Sequence, residues 1–93
     1  MKTYIITYWL RSPWDNYFPF YDAIKSNYPE WQHPLEETWF IKTDDEPQQI
    51  INNIKPLLKD TDSIFVVEIT NNYAGWMPKS IWKWLKSEIT NNE

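Results

Sequence analysis

The first extended run of the chain reads Lys2-Thr3-Tyr4-Ile5-Ile6-Thr7-Tyr8-Trp9-Leu10 and is its best strand candidate. Eight of these nine residues are β-branched, aromatic or leucine, which predicts a central strand buried on both faces. The only comparable run is Ser63-Ile64-Phe65-Val66-Val67-Glu68-Ile69. We expect these two strands to pair antiparallel at the centre of one sheet.

The composition fits a single domain over residues 1–93, large enough for one hydrophobic core. Apolar residues make up 42% of the chain, which argues against the intrinsically disordered class. Seven residues are Trp and only one is Gly. So many indoles cannot all be interior in so small a protein. We therefore expect a partly exposed aromatic surface that contacts another copy or a partner.

Composition also disfavours several classes of protein. The chain has no Cys, so it can form neither a disulfide nor a thiolate metal site. It shows no signal-peptide pattern and no apolar run of membrane-spanning length, so we expect a cytoplasmic protein with no membrane contact. The net charge of −4 disfavours tight, unaided binding to nucleic acid, which normally needs clustered Lys and Arg.

Three segments show the helical spacing of apolar residues. The first begins near residues 15–18 with Pro19 in its first turn, and the second follows Asp44-Asp45-Glu46. Pro56 should loosen the last turn of the second, and the third follows Met77-Pro78. The apolar positions are, helix by helix, Tyr17, Phe20, Tyr21, Ile24 and Tyr28; Ile50, Ile51, Ile54, Leu57 and Leu58; and Ile81, Trp84, Leu85 and Ile89.

The region between the first two helices is extended. Thr38-Trp39-Phe40-Ile41-Lys42-Thr43 is a clear strand, and Trp31-Gln32-His33-Pro34-Leu35-Glu36 is a shorter one that Pro34 restricts to a sheet edge. The sequence leaves the position of the turn between them open. The order of elements predicts an α+β protein, a ferredoxin-like βαββαβ sandwich with an additional C-terminal helix. Right-handed crossovers place the first two helices on one face of the sheet.

Five short blocks, in this order, carry a resemblance that extends over nearly the whole chain: Thr7-Tyr8-x-Leu10-Arg11-x-Pro13, Tyr21-x-Ala23-Ile24-Lys25-Ser26, Leu35-Glu36-x-Thr38-Trp39-x-Ile41-Lys42-Thr43-Asp44, Leu58-Lys59-Asp60-Thr61-Asp62 and Phe65-Val66-Val67-Glu68. Together they resemble the SinR family, small bacterial proteins related to the CRISPR-associated protein Cas-two. The resemblance implies a ferredoxin-like fold, a homodimer, and a link to nucleic-acid processing or to mobile-element and defence biology.

The resemblance also points to one site. In catalytic relatives an Asp ends the first strand, and two such carboxylates paired across the dimer axis hold a magnesium ion that activates water. SinR-like chains read Tyr-Asp-Leu-Arg there, whereas this chain reads Tyr8-Trp9-Leu10-Arg11. Trp offers only an indole N–H donor, so it can neither bind magnesium nor act as a base. We therefore expect Tyr8, Trp9 and Arg11 to form a degenerate site, with Trp9 in the core or at the dimer interface. We expect no catalytic residue, metal or cofactor.

A candidate binding surface comprises exposed aromatic and basic residues. The aromatic members are Trp14, Trp76 and Trp82, which offer stacking surfaces for a protein or for bases. The basic members are Lys79, Lys83 and Lys86, a stripe along the last helix whose commoner role is a solvated face. The acidic balance of the chain favours a protein partner over free nucleic acid.

The remaining polar candidates have ordinary explanations. His33 is the only His and lies far in sequence from any acid pair, which favours a surface or edge role. Asp44-Asp45-Glu46, with Glu36 and Glu37 upstream, could form a cation site, but acids at a helix start are favoured by the helix dipole alone.

Three functions therefore stay open. The first is a non-catalytic, Cas-two-like homodimeric binding protein, which the missing Asp favours. The second is a metal-dependent endonuclease acting on RNA or DNA through other carboxylates such as Asp15, Asp60 or Glu68. The third is a small acidic inhibitor of a host or defence protein.

Overall fold

The computed structural model describes residues 1–12 and 16–91, and the side chains within these ranges as far as residue 87. It contains four strands and three helices. In chain order they are β1 (Lys2–Trp9), α1 (Phe18–Asn27), β2 (Trp31–Leu35), β3 (Thr38–Thr43), α2 (Pro47–Ile54), β4 (Ser63–Ile69) and α3 (Lys79–Asn91), with a 3-10 turn at Lys55–Leu57. None of the helices in the described ranges is long and apolar enough to cross a membrane.

The four strands form one antiparallel sheet in the order β2-β3-β1-β4. β1 lies between β3 and β4, so that Ile5 is opposite Phe40 on one side and Val67 on the other. The predicted antiparallel pairing of β1 with β4 is confirmed, and so is the α+β class.

One expectation about the sheet is wrong, because β4 is an edge strand and the central pair is β1 and β3. Burial along β4 alternates: Ile64 and Val66 pack on the core, whereas Phe65 and Val67 are exposed on the other face. A continuous apolar run is typical of a strand that is buried on both faces, but none of the helices that the structure describes covers Phe65 and Val67 on the second face of β4. β1 likewise ends in an exposed residue, Trp9.

The other edge of the sheet is irregular, as predicted from Pro34. β2 pairs with β3 through Trp31 and Gln32, and then again at Leu35, with a register shift between them. The chain turns back at residues 36–37, a position that the sequence left open.

Helices α1 and α2 cover one face of the sheet, as predicted. They bury Phe20 and Ile24 of α1 and Ile50 and Ile54 of α2 against the even-numbered side chains of β1. Pro19 lies in the first turn of α1. Helix α2 ends at Ile54 and is followed by the 3-10 turn at Lys55–Leu57, which contains Pro56.

Helix α3 covers only part of the opposite face. Ile81 and Leu85 bury themselves against Phe40 of β3, with Ile5 of β1 beside them. Lys42 of β3 is buried under the helix, where its ammonium group donates to the Trp84 carbonyl and lies 4.1 Å from the centre of the Trp84 ring. Ile69 of β4 packs against this cluster, whereas Phe65 and Val67 of the same strand remain exposed.

Candidate functional site

The last residues of β1 point to opposite faces of the sheet, because side chains alternate along a strand. Tyr8 lies in the core, where its hydroxyl accepts a 2.9 Å hydrogen bond from the indole of Trp39. Burial raises the pKa of the Tyr8 hydroxyl, which keeps it protonated at neutral pH. Trp9 is 60% exposed on the open face. The predicted trio of Tyr8, Trp9 and Arg11 is therefore divided between two environments.

Arg11 stacks on Trp9. The guanidinium carbon lies 4.1 Å from the centre of the indole ring, within cation–π range. The guanidinium group also donates a 3.0 Å hydrogen bond to the carbonyl of Thr61, in the turn that precedes β4. The stack thus fixes the Trp9 ring at the surface and leaves its outer face open for contact.

Asp62 holds this end of the sheet together. Its carboxylate accepts hydrogen bonds from the amides of Arg11 and Lys59 and from the hydroxyl of Tyr17, each 2.9 Å long. Partial burial pushes the pKa of Asp62 up, but the three donors outweigh that effect and hold the pKa below its ordinary value. Asp62 therefore positions the stack and contributes no open metal-binding oxygen pair.

An apolar groove runs beside Trp9 across the uncovered half of the sheet. It measures about 510 Å³, lies between the sheet and residues 74–77, and has no charged side chain among the described residues that line it. A shallower depression joins it to Trp9 through Thr7 and Phe65. We call this surface the open apolar face; its large exposed members are Trp9, Leu35, Phe65, Val67 and Trp76.

The predicted tryptophans differ in exposure. Trp76 is 98% exposed at the rim of the groove. Trp82 is half-buried, because its ring stacks on Tyr73 at 6.0 Å and its indole donates to the Met77 carbonyl. Trp82 also underlies Gly75, where an added Cβ would lie 3.2 Å from the indole Cη2 atom. Trp14 lies outside the described residues.

The basic stripe is exposed but separate from the groove. Lys79, Lys83 and Lys86 lie on the side of α3 that faces away from the buried Ile81 and Leu85. None of the three lysines is among the described residues that line the groove. The predicted aromatic and basic members therefore form two surfaces.

The other acids and His33 have local partners. At the start of α2 the backbone amide of Glu46 donates a hydrogen bond to the side-chain oxygen of Gln49. The carboxylate of Asp45 accepts a 3.0 Å hydrogen bond from the hydroxyl of Tyr28. The ring of His33 stacks on Trp39 with centres 4.1 Å apart. Within the described ranges, no three His, Asp or Glu residues are grouped so that they could hold a metal ion.

The carboxylates of the nuclease alternative do not come together. Asp60 and Glu68 are both exposed, but Asp60 precedes β4 and Glu68 lies within β4 near its other end. Asp15 lies outside the described residues.

Sequence reasoning missed three members of the open apolar face, namely Leu35, Phe65 and Val67. The sequence carries no signal for Phe65 and Val67, because residues 64–67 are all apolar and their exposure depends on which part of the sheet α3 covers. The only signal for Leu35 is the edge position of β2, which Pro34 indicates. Comparison with known proteins adds no candidate, since no family model matches the chain and neither a curated protein nor a solved structure matches it significantly.

Proposed function

We propose that this protein is a non-catalytic, Cas-two-like binding protein that acts as a homodimer. In this proposal the fold is a ferredoxin-like βαββαβ sandwich with an additional C-terminal helix, and the strand order β2-β3-β1-β4 supports it. The resemblance to the SinR family links the protein to nucleic-acid processing or to mobile-element and defence biology. A cytoplasmic location stays a prediction from the sequence.

The observation that carries the proposal is the exposed stack of Trp9 and Arg11 at the end of β1. In the family that the chain resembles, a metal-binding Asp would stand at position 9. The indole has no acceptor for a metal or a proton, and 60% of this side chain faces solvent on the open apolar face. Position 9 is thus suited to contact and unsuited to acid–base or metal chemistry.

The chemistry of the open apolar face favours a protein partner. An uncharged groove with large exposed aromatic side chains is typical of protein contacts, where charged residues are depleted at the centre. A phosphate backbone would need clustered cations. The lysines of α3 belong to a different surface, and Arg11 is already engaged with Trp9 and Thr61.

Calorimetry and a nuclease assay test the non-catalytic part. The wild-type protein should neither bind magnesium at position 9 nor cleave RNA or DNA in a magnesium-dependent way. Trp9→Asp should bind magnesium weakly if two copies bring their residues 9 together, and Trp9→Asn is the uncharged control. Because Trp9 is exposed, both variants should fold. Wild-type cleavage that requires magnesium and is lost in Asp15→Asn or Glu68→Gln would establish the nuclease alternative instead.

Light scattering tests the homodimer. At micromolar concentration the mass should be twice the chain mass of 11.4 kDa. A mass of 11.4 kDa at every concentration would contradict the proposal.

Binding to an isolated partner tests the surface. Phe65→Ser should weaken binding, whereas Phe18→Ser should not, since Phe18 is 71% exposed on α1, beyond the other face of the sheet. Equal loss in both variants would show that the open apolar face is not the contact.

A further inference from the structure

The two edges of the sheet differ in how they are protected against pairing with another strand. Natural edge strands are commonly blunted by proline, lysine, bulges or short length. The β2 edge has two of these devices, Pro34 and the register shift between Gln32 and Leu35.

The β4 edge has none of these four devices, and its one charged side chain is that of Glu68, next to the last residue of the strand. It is seven residues long, pairs with β1 in continuous register, and contains neither proline nor lysine. In the described part of the chain its sole strand neighbour is β1, so its outer row of backbone N–H and C=O groups faces away from the sheet. Phe65 is 62% exposed beside this row. A long apolar edge of this kind is a template for strand addition.

We infer that β4 is the strand through which two copies of this chain associate, pairing antiparallel with its own counterpart about a twofold axis at Val66. The inference rests on the proposed homodimer and gives it a different interface from the one the resemblance implies. Trp9 lies on β1 opposite Ser63, so the two Trp9 residues are on opposite sides of this axis and do not meet, and Trp9→Asp is then expected to bind no magnesium. An antiparallel pair of identical strands needs the axis normal to the sheet, so one residue must face itself. Val66 is the middle residue of the strand, and this register pairs the strand along its entire length.

The side chains of β4 are complementary to themselves in this register. Phe65 of one copy lies opposite Val67 of the other, which gives two aromatic–β-branched pairs on the open apolar face. Glu68 is the only charged residue of the strand, and it lies opposite Ile64 and not opposite itself. The two Glu68 carboxylates of the dimer therefore do not lie directly opposite each other.

The surroundings of Ile64 are polar, so they can accommodate the Glu68 side chain of the second copy. Ile64 lines a groove of about 570 Å³ together with Lys55 and Lys59. Asp60 and Asp62 line it too, so the groove carries two cationic and two anionic side chains. Glu68 of the second copy would then lie beside a polar groove of balanced charge and not against an apolar surface.

Association through β4 would make one eight-stranded sheet and place the two open apolar faces side by side. The uncharged surface available to a partner would then be continuous across the twofold axis. In this arrangement Phe65 and Val67 lie at the centre of the surface and Trp76 of each copy at its rim.

Disulfide trapping tests the register, because the natural chain has no Cys. Val66→Cys should convert most of the chain to a covalent dimer under mild oxidation, since residue 66 faces its own counterpart. Phe65→Cys and Val67→Cys should each give several-fold less covalent dimer, because residue 65 lies opposite residue 67 and neither faces its own counterpart. Phe18→Cys measures the cross-linking that results from random collision. Amide hydrogen exchange in β4 of the unmodified protein should slow as concentration rises, which checks the pairing without substitution.

The outcomes separate this inference from the proposed homodimer. A wild-type monomer at all concentrations would overturn both. A wild-type dimer in which Trp76→Cys cross-links and Val66→Cys does not would retain the homodimer and overturn the β4 interface in favour of face-to-face packing. A third outcome is a protein that stays monomeric and shows slowed amide exchange in β4 only when an extended peptide from another protein is added. That result would overturn self-association and show that the β4 edge binds a different protein.

Discussion

The indole nitrogen of Trp39 donates a 2.9 Å hydrogen bond to the hydroxyl of Tyr8, and both side chains are buried. This contact joins β3 to β1 on the face of the sheet opposite to Trp9. It explains why Tyr8 belongs to the core of the sheet and not to the surface chemistry of the site.

Tyr8→Phe should destabilise the protein by about 1–3 kcal/mol, because it leaves the buried indole N–H of Trp39 unpaired. Tyr4→Phe is the matched control. The Tyr4 hydroxyl is also buried but has no hydrogen-bond partner among the described residues, so its removal should be neutral or stabilising. Urea unfolding of the two variants measures the difference, and equal losses would contradict it.

Ile54→Ala should cost about 2–5 kcal/mol of unfolding free energy, because Ile54 is fully buried between α2 and the sheet. Leu57→Ala is the control three residues further on, where the side chain is 43% exposed and the cost should stay within about 1 kcal/mol. A neutral Ile54→Ala in a urea melt would mean that this cluster is not the core.

Asp62 should make stability fall at acid pH. Its pKa is lowered in the folded protein, so its contribution is complete above the unfolded value of 3.8 and is lost as the pH falls through the lower, folded pKa. Asp62→Ala should cost about 1–3 kcal/mol at neutral pH and flatten the acid limb of the stability curve. Tyr17→Phe keeps the carboxylate and two donors, so it should show a smaller loss. An unchanged acid limb in Asp62→Ala would contradict the role.

Lys42 should be needed to dock α3. Its buried ammonium group donates to the Trp84 carbonyl and to the Ser87 hydroxyl. Lys42→Ala should speed amide exchange in α3 while leaving that of α1 and α2 unchanged, because these helices lie on the other face. Exchange in α3 that is the same in Lys42→Ala as in the unmodified protein would show that α3 is held by its apolar contacts alone.

Much of this architecture follows from local spacing. The apolar periodicity that places Ile24 and Ile54 in the core is a property of each helix by itself. The edge position of β4 is different, because an apolar run has the same composition whether its second face is covered by α3 or left open. The half-burial of Trp82 depends on the loop that brings Tyr73 back over it. The stack of Arg11 on Trp9 depends on a carbonyl at Thr61, fifty residues away.

Gly75 is the single glycine of the chain, and its conformation determines which substitutions the loops tolerate. No residue in the described ranges has a positive φ angle, Gly75 included, so no turn there requires the conformational freedom of glycine. Position 75 is restricted by the neighbouring ring of Trp82 and not by its own backbone. Within the described loops, selection can therefore exchange residues without breaking a turn that needs glycine, whereas a larger residue 75 requires the Trp82 ring to move. Trp76, which is 98% exposed, can change to fit a new partner while Trp82 keeps its contacts with Tyr73 and Met77.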